Sequence, residues 1–193
     1  LSTDVVAVIL EARRRHRGGV PAAFIPALER AVWFGSVGAR RLAIRELARY
    51  HYRPAMLPAI DAAIEDPQLV DTVVELLPLF GHAGARYYLQ DVLLEGTERQ
   101  RRLAAVSLAR IGGRALETLR DASLSDDRVI RELAVGALLP LTGVNDLTTL
   151  YEYVADHPDD DAELIARVRE RAIQLEELLD RAMEQESATP DDY

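Results

Sequence analysis

Arg40-Arg41-Leu42-Ala43-Ile44-Arg45-Glu46-Leu47-Ala48-Arg49 returns as Arg101-Arg102-Leu103-Ala104-Ala105-Val106-Ser107-Leu108-Ala109-Arg110, with seven of ten positions identical at a shift of 61. Leu76-Leu77-Pro78-Leu79-Phe80-Gly81 returns as Leu138-Leu139-Pro140-Leu141-Thr142-Gly143 at a shift of 62, and Gly81, Gly112 and Gly143 mark the half step of 31. Self-similarity at such a period marks a repeat architecture, in which each unit buries its apolar face on its neighbours. Ile25-Pro26-Ala27-Leu28-Glu29 and Leu57-Pro58-Ala59-Ile60-Asp61 form a third family, 32 apart, in the other half of each unit. Two kinds of segment therefore alternate.

Both kinds read as helices, because strands would alternate apolar and polar residues and these do not. Leu103, Ala104, Ser107, Leu108 and Ile111 fall on one face of a helix. Pro21, Pro54 and Pro158 stand at or just before helix starts, where a missing N–H costs nothing, and Gly35, Gly81, Gly96, Gly112 and Gly143 follow helix ends. The pattern predicts helices near 3–16, 21–34, 37–51, 54–65, 68–80, 83–94, 98–111, 113–124, 126–142, 145–155 and 160–186. The expected fold is all-α, an α-solenoid of about five antiparallel helix pairs behind one leading helix.

Residues 160–186 are expected to cap the stack, since a terminal repeat must present a polar outer face. Asp160 or Asp161 can N-cap this helix, and Ile165, Val168, Ala172, Leu175, Leu179 and Ala182 make an apolar seam. Such a seam also suits pairing with a partner helix. The repeat domain is thus expected over 1–186, with a polar tail at 187–193.

Residues 101–112, Arg-Arg-Leu-Ala-Ala-Val-Ser-Leu-Ala-Arg-Ile-Gly, followed by Ala115-Leu116 and Asp126-Asp127, resemble the HEAT-like repeat of the phycobilisome-lyase type. In that family the second helix of each pair opens with an Arg, a position that Arg40, Arg101 and Arg131 occupy here and from which Asp71 departs. The resemblance covers most of the chain. It implies a right-handed stack whose second helices line a concave side that holds another protein. The scaffold also hosts enzymes, lyase subunits and nucleic-acid binders, so fold alone does not assign a role. Its metal hydroxylases carry adjacent His-Glu pairs, and this sequence contains none.

Composition narrows the classes further. The 193 residues are 49% hydrophobic, enough for a real core and too many for a disordered chain. The longest uncharged run, Leu133 to Asn145, is shorter than the roughly 20 residues of a membrane helix, so no membrane insertion is expected. With no cysteine there is neither a disulfide framework nor a thiolate, which favours a cytoplasmic setting. A net charge of -9 disfavours general nucleic-acid binding, and all 23 basic residues are Arg. The chain opens at Leu1 and runs at once into a helix start, Ser2-Thr3-Asp4, so a domain of a longer protein is expected.

No catalytic constellation emerges. His16, His51, His82 and His157 form no zinc-hydrolase spacing, and the serines lie in no nucleophile elbow. Gly18-Gly19 and Gly112-Gly113 lack the strand context and Lys of a phosphate loop. Asp126-Asp127 and Asp159-Asp160-Asp161 start helices, where negative charge is favourable, so they read as caps. Tyr87-Tyr88 and Tyr151/Tyr153 cannot place both rings of a pair on one helix face, so at least one of each reaches the surface. Trp33 and Phe34, ending an apolar helix, are expected in the core. Neither enzyme activity nor a cofactor or metal site is expected.

Charge, by contrast, is banded. Residues 1–56 hold ten Arg and four acids, 57–98 one Arg and eight acids, 99–134 eight Arg and five acids, and 135–193 four Arg and fifteen acids. Arg41, Arg45 and Arg49 step by four along one helix face, a self-repelling stripe that needs counter-charge. Asp71 and Glu75, each 30 residues beyond Arg41 and Arg45, offer it within the chain; an acidic peptide or partner helix offers it from outside. Arg101 and Arg102 extend the basic surface. Arg13-Arg14-Arg15 and Arg17 form a separate patch that reads as a solvated helix end or a contact for nucleic acid or anionic lipid. The expected function is a non-catalytic protein-binding scaffold using Arg41, Arg45, Arg49, Arg101 and Arg102. The alternatives are a lyase-type accessory subunit holding a small molecule or chromophore and, less well supported, nucleic-acid binding by the basic first third.

Overall fold

A computed structural model of the chain describes residues 24–49, 57–80 and 84–188. Among these residues there are ten α-helices and no strand, so the chain is all-α. The expected leading helix, His16, His51 and His82, and the patch at Arg13 to Arg17 lie outside the described residues. The chain divides into two compact units, Leu1–Ala115 and Leu116–Tyr193.

The first unit holds α1 (Ile25–Phe34), α2 (Val37–Ala48), α3 (Leu57–Ile64), α4 (Val70–Phe80), α5 (Ala85–Glu95) and α6 (Glu98–Ile111). The α1–α2 junction recurs at α5–α6. Gly35 and Gly96, at ψ 166 and 172, end α1 and α5, and Ser36 and Thr97, at ψ 160 and 159, cap α2 and α6. Each hydroxyl accepts from the amide three residues on, at 3.4 Å, satisfying an N–H that the first helical turn leaves open.

In this unit α1 packs on α2 and α5 on α6, while α2, α4 and α6 pack in succession. Leu28, Ile44, Leu47, Leu77, Phe80, Leu89, Leu93 and Leu108 are fully buried between them, each contributing about 2 kcal/mol of apolar burial. Small residues at Ala43, Ala104 and Ala105 let the α2 and α6 backbones approach their neighbours. Trp33 and Phe34 depart from the expected core placement: Trp33 is half-exposed and Phe34 is 79% exposed. They occupy the last turn of α1, beyond the helix's buried positions Leu28, Ala31 and Val32.

Leu-Leu-Pro-Leu behaves differently in its two copies. Pro78 stays inside α4. The segment expected as one helix over 126–142 instead ends as α8 (Arg128–Leu138) and tightens into a 3-10 turn, Leu139–Leu141. Pro140 has no N–H to continue the α ladder, so the shorter-range pattern takes over.

The second unit is entered by α7 (Arg114–Ser123) and continues through α8, a 3-10 turn at Val144–Asp146, α9 (Leu147–Asp156) and α10 (Ala162–Ala188). Val135, Leu139, Leu150, Tyr153, Leu164, Ile165, Val168, Ala172 and Leu175 form its core. Asp161, not Asp160, caps α10 by accepting from Leu164 N at 2.9 Å. The α10 seam is buried as expected from Ile165 to Leu175, but Leu179 and Ala182 are exposed. From Glu176 to Gln185 every residue is exposed.

Candidate functional site

Arg40, Arg101 and Arg131, each near the start of its helix, share one task. Arg40 Nε donates to Val32 O in the last turn of α1 at 2.7 Å. Arg101 donates to Leu94 O and Gly96 O at the end of α5, at 2.8 and 2.9 Å, and Arg131 Nη1 to Ser125 O behind α7 at 2.7 Å. A helix C-terminus leaves carbonyls without donors, and the guanidinium fork supplies them. Arg40 also pairs with Asp66, whose carboxyl is held below the usual range by the Gln68 amide and then by Arg40. Arg101, expected at a partner surface, is thus engaged with its own chain.

Along α2, α4 and α6 the stripe finds mixed company. Arg41 donates to Gln68 O at 2.8 and 3.3 Å rather than reaching Asp71. Asp71 pairs instead with Arg99 at 3.1 Å, because α6 delivers that guanidinium from the other side. Arg45 meets Glu75 at 3.6 Å, the expected rung. Arg49 meets Glu46 at 3.8 Å and Arg102 meets Glu98 at 3.2 Å. The side chains of Arg45, Arg49 and Arg102 remain 58%, 53% and 67% exposed. Leu79 and Val106, on α4 and α6, are exposed apolar residues of the same helices.

The second unit contains a buried polar network built on Asp160, a residue whose sequence position suggests a helix cap. Arg131 Nε and Nη2 donate to the two carboxylate oxygens of Asp160 at 3.0 and 2.6 Å, and Tyr153 Oη donates to Asp160 Oδ2 at 2.7 Å. The hydrogen bond from Arg131 is the largest influence holding the Asp160 carboxyl below its ordinary value. Burial, then the bond to Asp160, pushes the Tyr153 phenol up, so it stays a donor. The His157 ring lies against the Tyr153 ring, centroids 5.2 Å apart. One ring of the Tyr151/Tyr153 pair reaches the surface as expected, and it is Tyr151.

Beside this network lies a cavity of about 350 Å³. Leu116 of α7, Val135 and Leu138 of α8, Leu139, and Leu150 of α9 make its apolar wall. Arg120, Asp146, Glu152, Asp156 and His157 also line it. The sequence signal that could have pointed to it is Leu138-Leu139 before Pro140, where α8 gives way to a 3-10 turn whose leucines line the cavity.

Among the described residues no group of His, Asp and Glu is placed to hold a metal ion, and no helix is long and apolar enough to cross a membrane. No protein-family model and no curated protein matches this chain.

Proposed function

We propose that the chain is a HEAT-like stack of about five helix pairs that acts as a non-catalytic protein-binding scaffold, taking an acidic partner segment on the α2–α4–α6 face. The recurrence of the Gly-Ser/Thr junction at 35–36 and 96–97, and of the Arg clamp at 40, 101 and 131, supports the repeat reading.

One observation carries the binding reading: Arg45 and Arg102 remain more than half exposed while paired with Glu75 and Glu98, themselves 44% and 74% exposed. Exposed pairs of this kind contribute about 0–1 kcal/mol. Their guanidinium groups can therefore turn to a partner's carboxylates at little cost, and Arg forks fit carboxylates in two-point geometry. Exposed Leu79 and Val106 supply apolar contact on the same helices. The partner class is an amphipathic acidic helix.

Titration with amphipathic Glu/Leu helical peptides and matched Arg/Leu peptides tests this. The acidic peptides bind, with affinity falling as salt rises, and Arg45→Glu plus Arg102→Glu weakens them at least tenfold while the circular dichroism melt is retained. Binding of the basic set alone, or no loss in the folded double variant, removes the face from consideration.

A further inference from the structure

The cavity of the second unit has an electrostatic asymmetry that the scaffold reading leaves unused. Its wall is apolar, and Val135, Leu139 and Leu150 on it are buried. Its size lies within the roughly 300–1,000 Å³ of ordinary small-molecule pockets. Three carboxylates line it, Asp146, Glu152 and Asp156, against the single permanent cation Arg120. Asp146 Oδ2 accepts from Gly143 N at 2.8 Å and so belongs in part to the local turn. Glu152 and Asp156 are exposed and stand four residues apart on α9, like charges on neighbouring turns that repel.

Their position on the helix adds to this cost. Asp156 is the last residue of α9, and the last turn carries no basic residue. A helix C-terminus is its negative end, where a cation is stabilising and a carboxylate is not. Two adjacent carboxylates at that end, opening onto an apolar chamber, gain most from a positive charge attached to an apolar body.

We propose that this cavity binds a small apolar ammonium compound, the hydrocarbon body seated against Leu138, Leu139 and Leu150 and the ammonium group held by Glu152 and Asp156. The Arg131–Asp160–Tyr153 network forms the fixed support behind it. Tyr153 is itself a lining residue, tied to Asp160, so the wall is shaped before a ligand arrives.

Adamantan-1-amine, adamantane-1-carboxylate and the uncharged adamantan-1-ol are the probes, titrated into the full chain and followed by methyl NMR and calorimetry. The amine shifts the methyl resonances of Leu138, Leu139 and Leu150 and binds more tightly than the alcohol, and the carboxylate is weakest. Glu152→Gln plus Asp156→Asn, both at exposed positions, weakens the amine about tenfold and leaves the alcohol unchanged. Arg120→Gln strengthens the amine. Equal or tighter binding of the carboxylate, unshifted cavity methyls, or an unchanged amine affinity in the double variant would overturn the proposal.

Discussion

The hydroxyl of Ser107 donates to the carbonyl oxygen of Val74 at 2.7 Å, joining α6 to α4. Val74 is four residues before Pro78, so its carbonyl is the one that the missing Pro78 N–H would have satisfied within α4. A side chain from the neighbouring helix replaces the absent donor, and α4 continues through its proline. A buried carbonyl without a donor costs about 1–3 kcal/mol. Ser107→Ala is therefore expected to destabilise by about 2 kcal/mol in urea unfolding. In a Pro78→Ala background, where the backbone regains its own donor, the same change should cost much less. Equal losses in both backgrounds would sink this account.

Asp160 makes the strongest polar commitment of the second unit. Removing one partner of a buried pair leaves the other charge uncompensated, so Asp160→Asn should cost about 3 kcal/mol. Tyr153→Phe, which removes one neutral donor, should cost about 1 kcal/mol. The pH dependence has a definite sign. The carboxyl lies below its ordinary value of 3.8 in the folded state, so its stabilisation is complete above that value. It is lost as pH falls through the lower folded value, where the native state also takes up the proton. The gap between wild type and Asp160→Asn should be constant from pH 5 to 7 and narrow below about pH 4, which denaturant titrations across pH measure directly.

Helix positions were legible because turn chemistry is local. Ser36, Thr97 and Asp127 each accept hydrogen bonds from the following turn within their own segment. Gly35 and Gly96 likewise act on their own helix ends. The polar partners were less legible, since they depend on which segment arrives beside a side chain. Asp160 reads as a cap among three consecutive carboxylates, and only the return of α8 beside the α9–α10 corner brings Arg131 to it. Asp71 and Arg99 show the same limit: a 30-residue register pointed to Arg41, but the neighbouring helix on the opposite side supplied the closer cation. Pro78 and Pro140 share one motif and differ in outcome because Ser107 serves the former.

Gly112 ends α6 at φ 69 and ψ −162, a conformation open essentially to glycine, and Gly113 follows at φ 52, also positive. A Cβ at either position meets nothing within 4 Å, so only the backbone opposes substitution. Gly112→Ala should cost about 1–3 kcal/mol, and Gly113→Asn less, because Asn accepts positive φ more readily than Ala does. Thermal unfolding of the two variants checks the order. A reversed order would mean that side-chain space, not dihedral strain, sets the junction.

The C-terminal helix divides at Leu175, which is 2% exposed, while Leu178 and Leu179 just beyond it are 48% and 37% exposed. α10 packs through Ile165, Val168, Ala172 and Leu175, all members of the second unit's core. Leu175→Ala should therefore cost about 2–4 kcal/mol, the transfer loss plus the cavity left behind. Leu178→Ala and Leu179→Ala, at exposed positions, should each stay within about 0.5 kcal/mol. Stopping the chain after Glu177 should likewise leave the unfolding free energy nearly unchanged, and hydrogen exchange should show strong protection up to Leu175 with a steep fall beyond it. Comparable losses on the two sides of Leu175 would require something to cover the distal turns in solution. In that case the apolar residues beyond Leu175 would be an occupied interface, and α10 would serve as more than a cap.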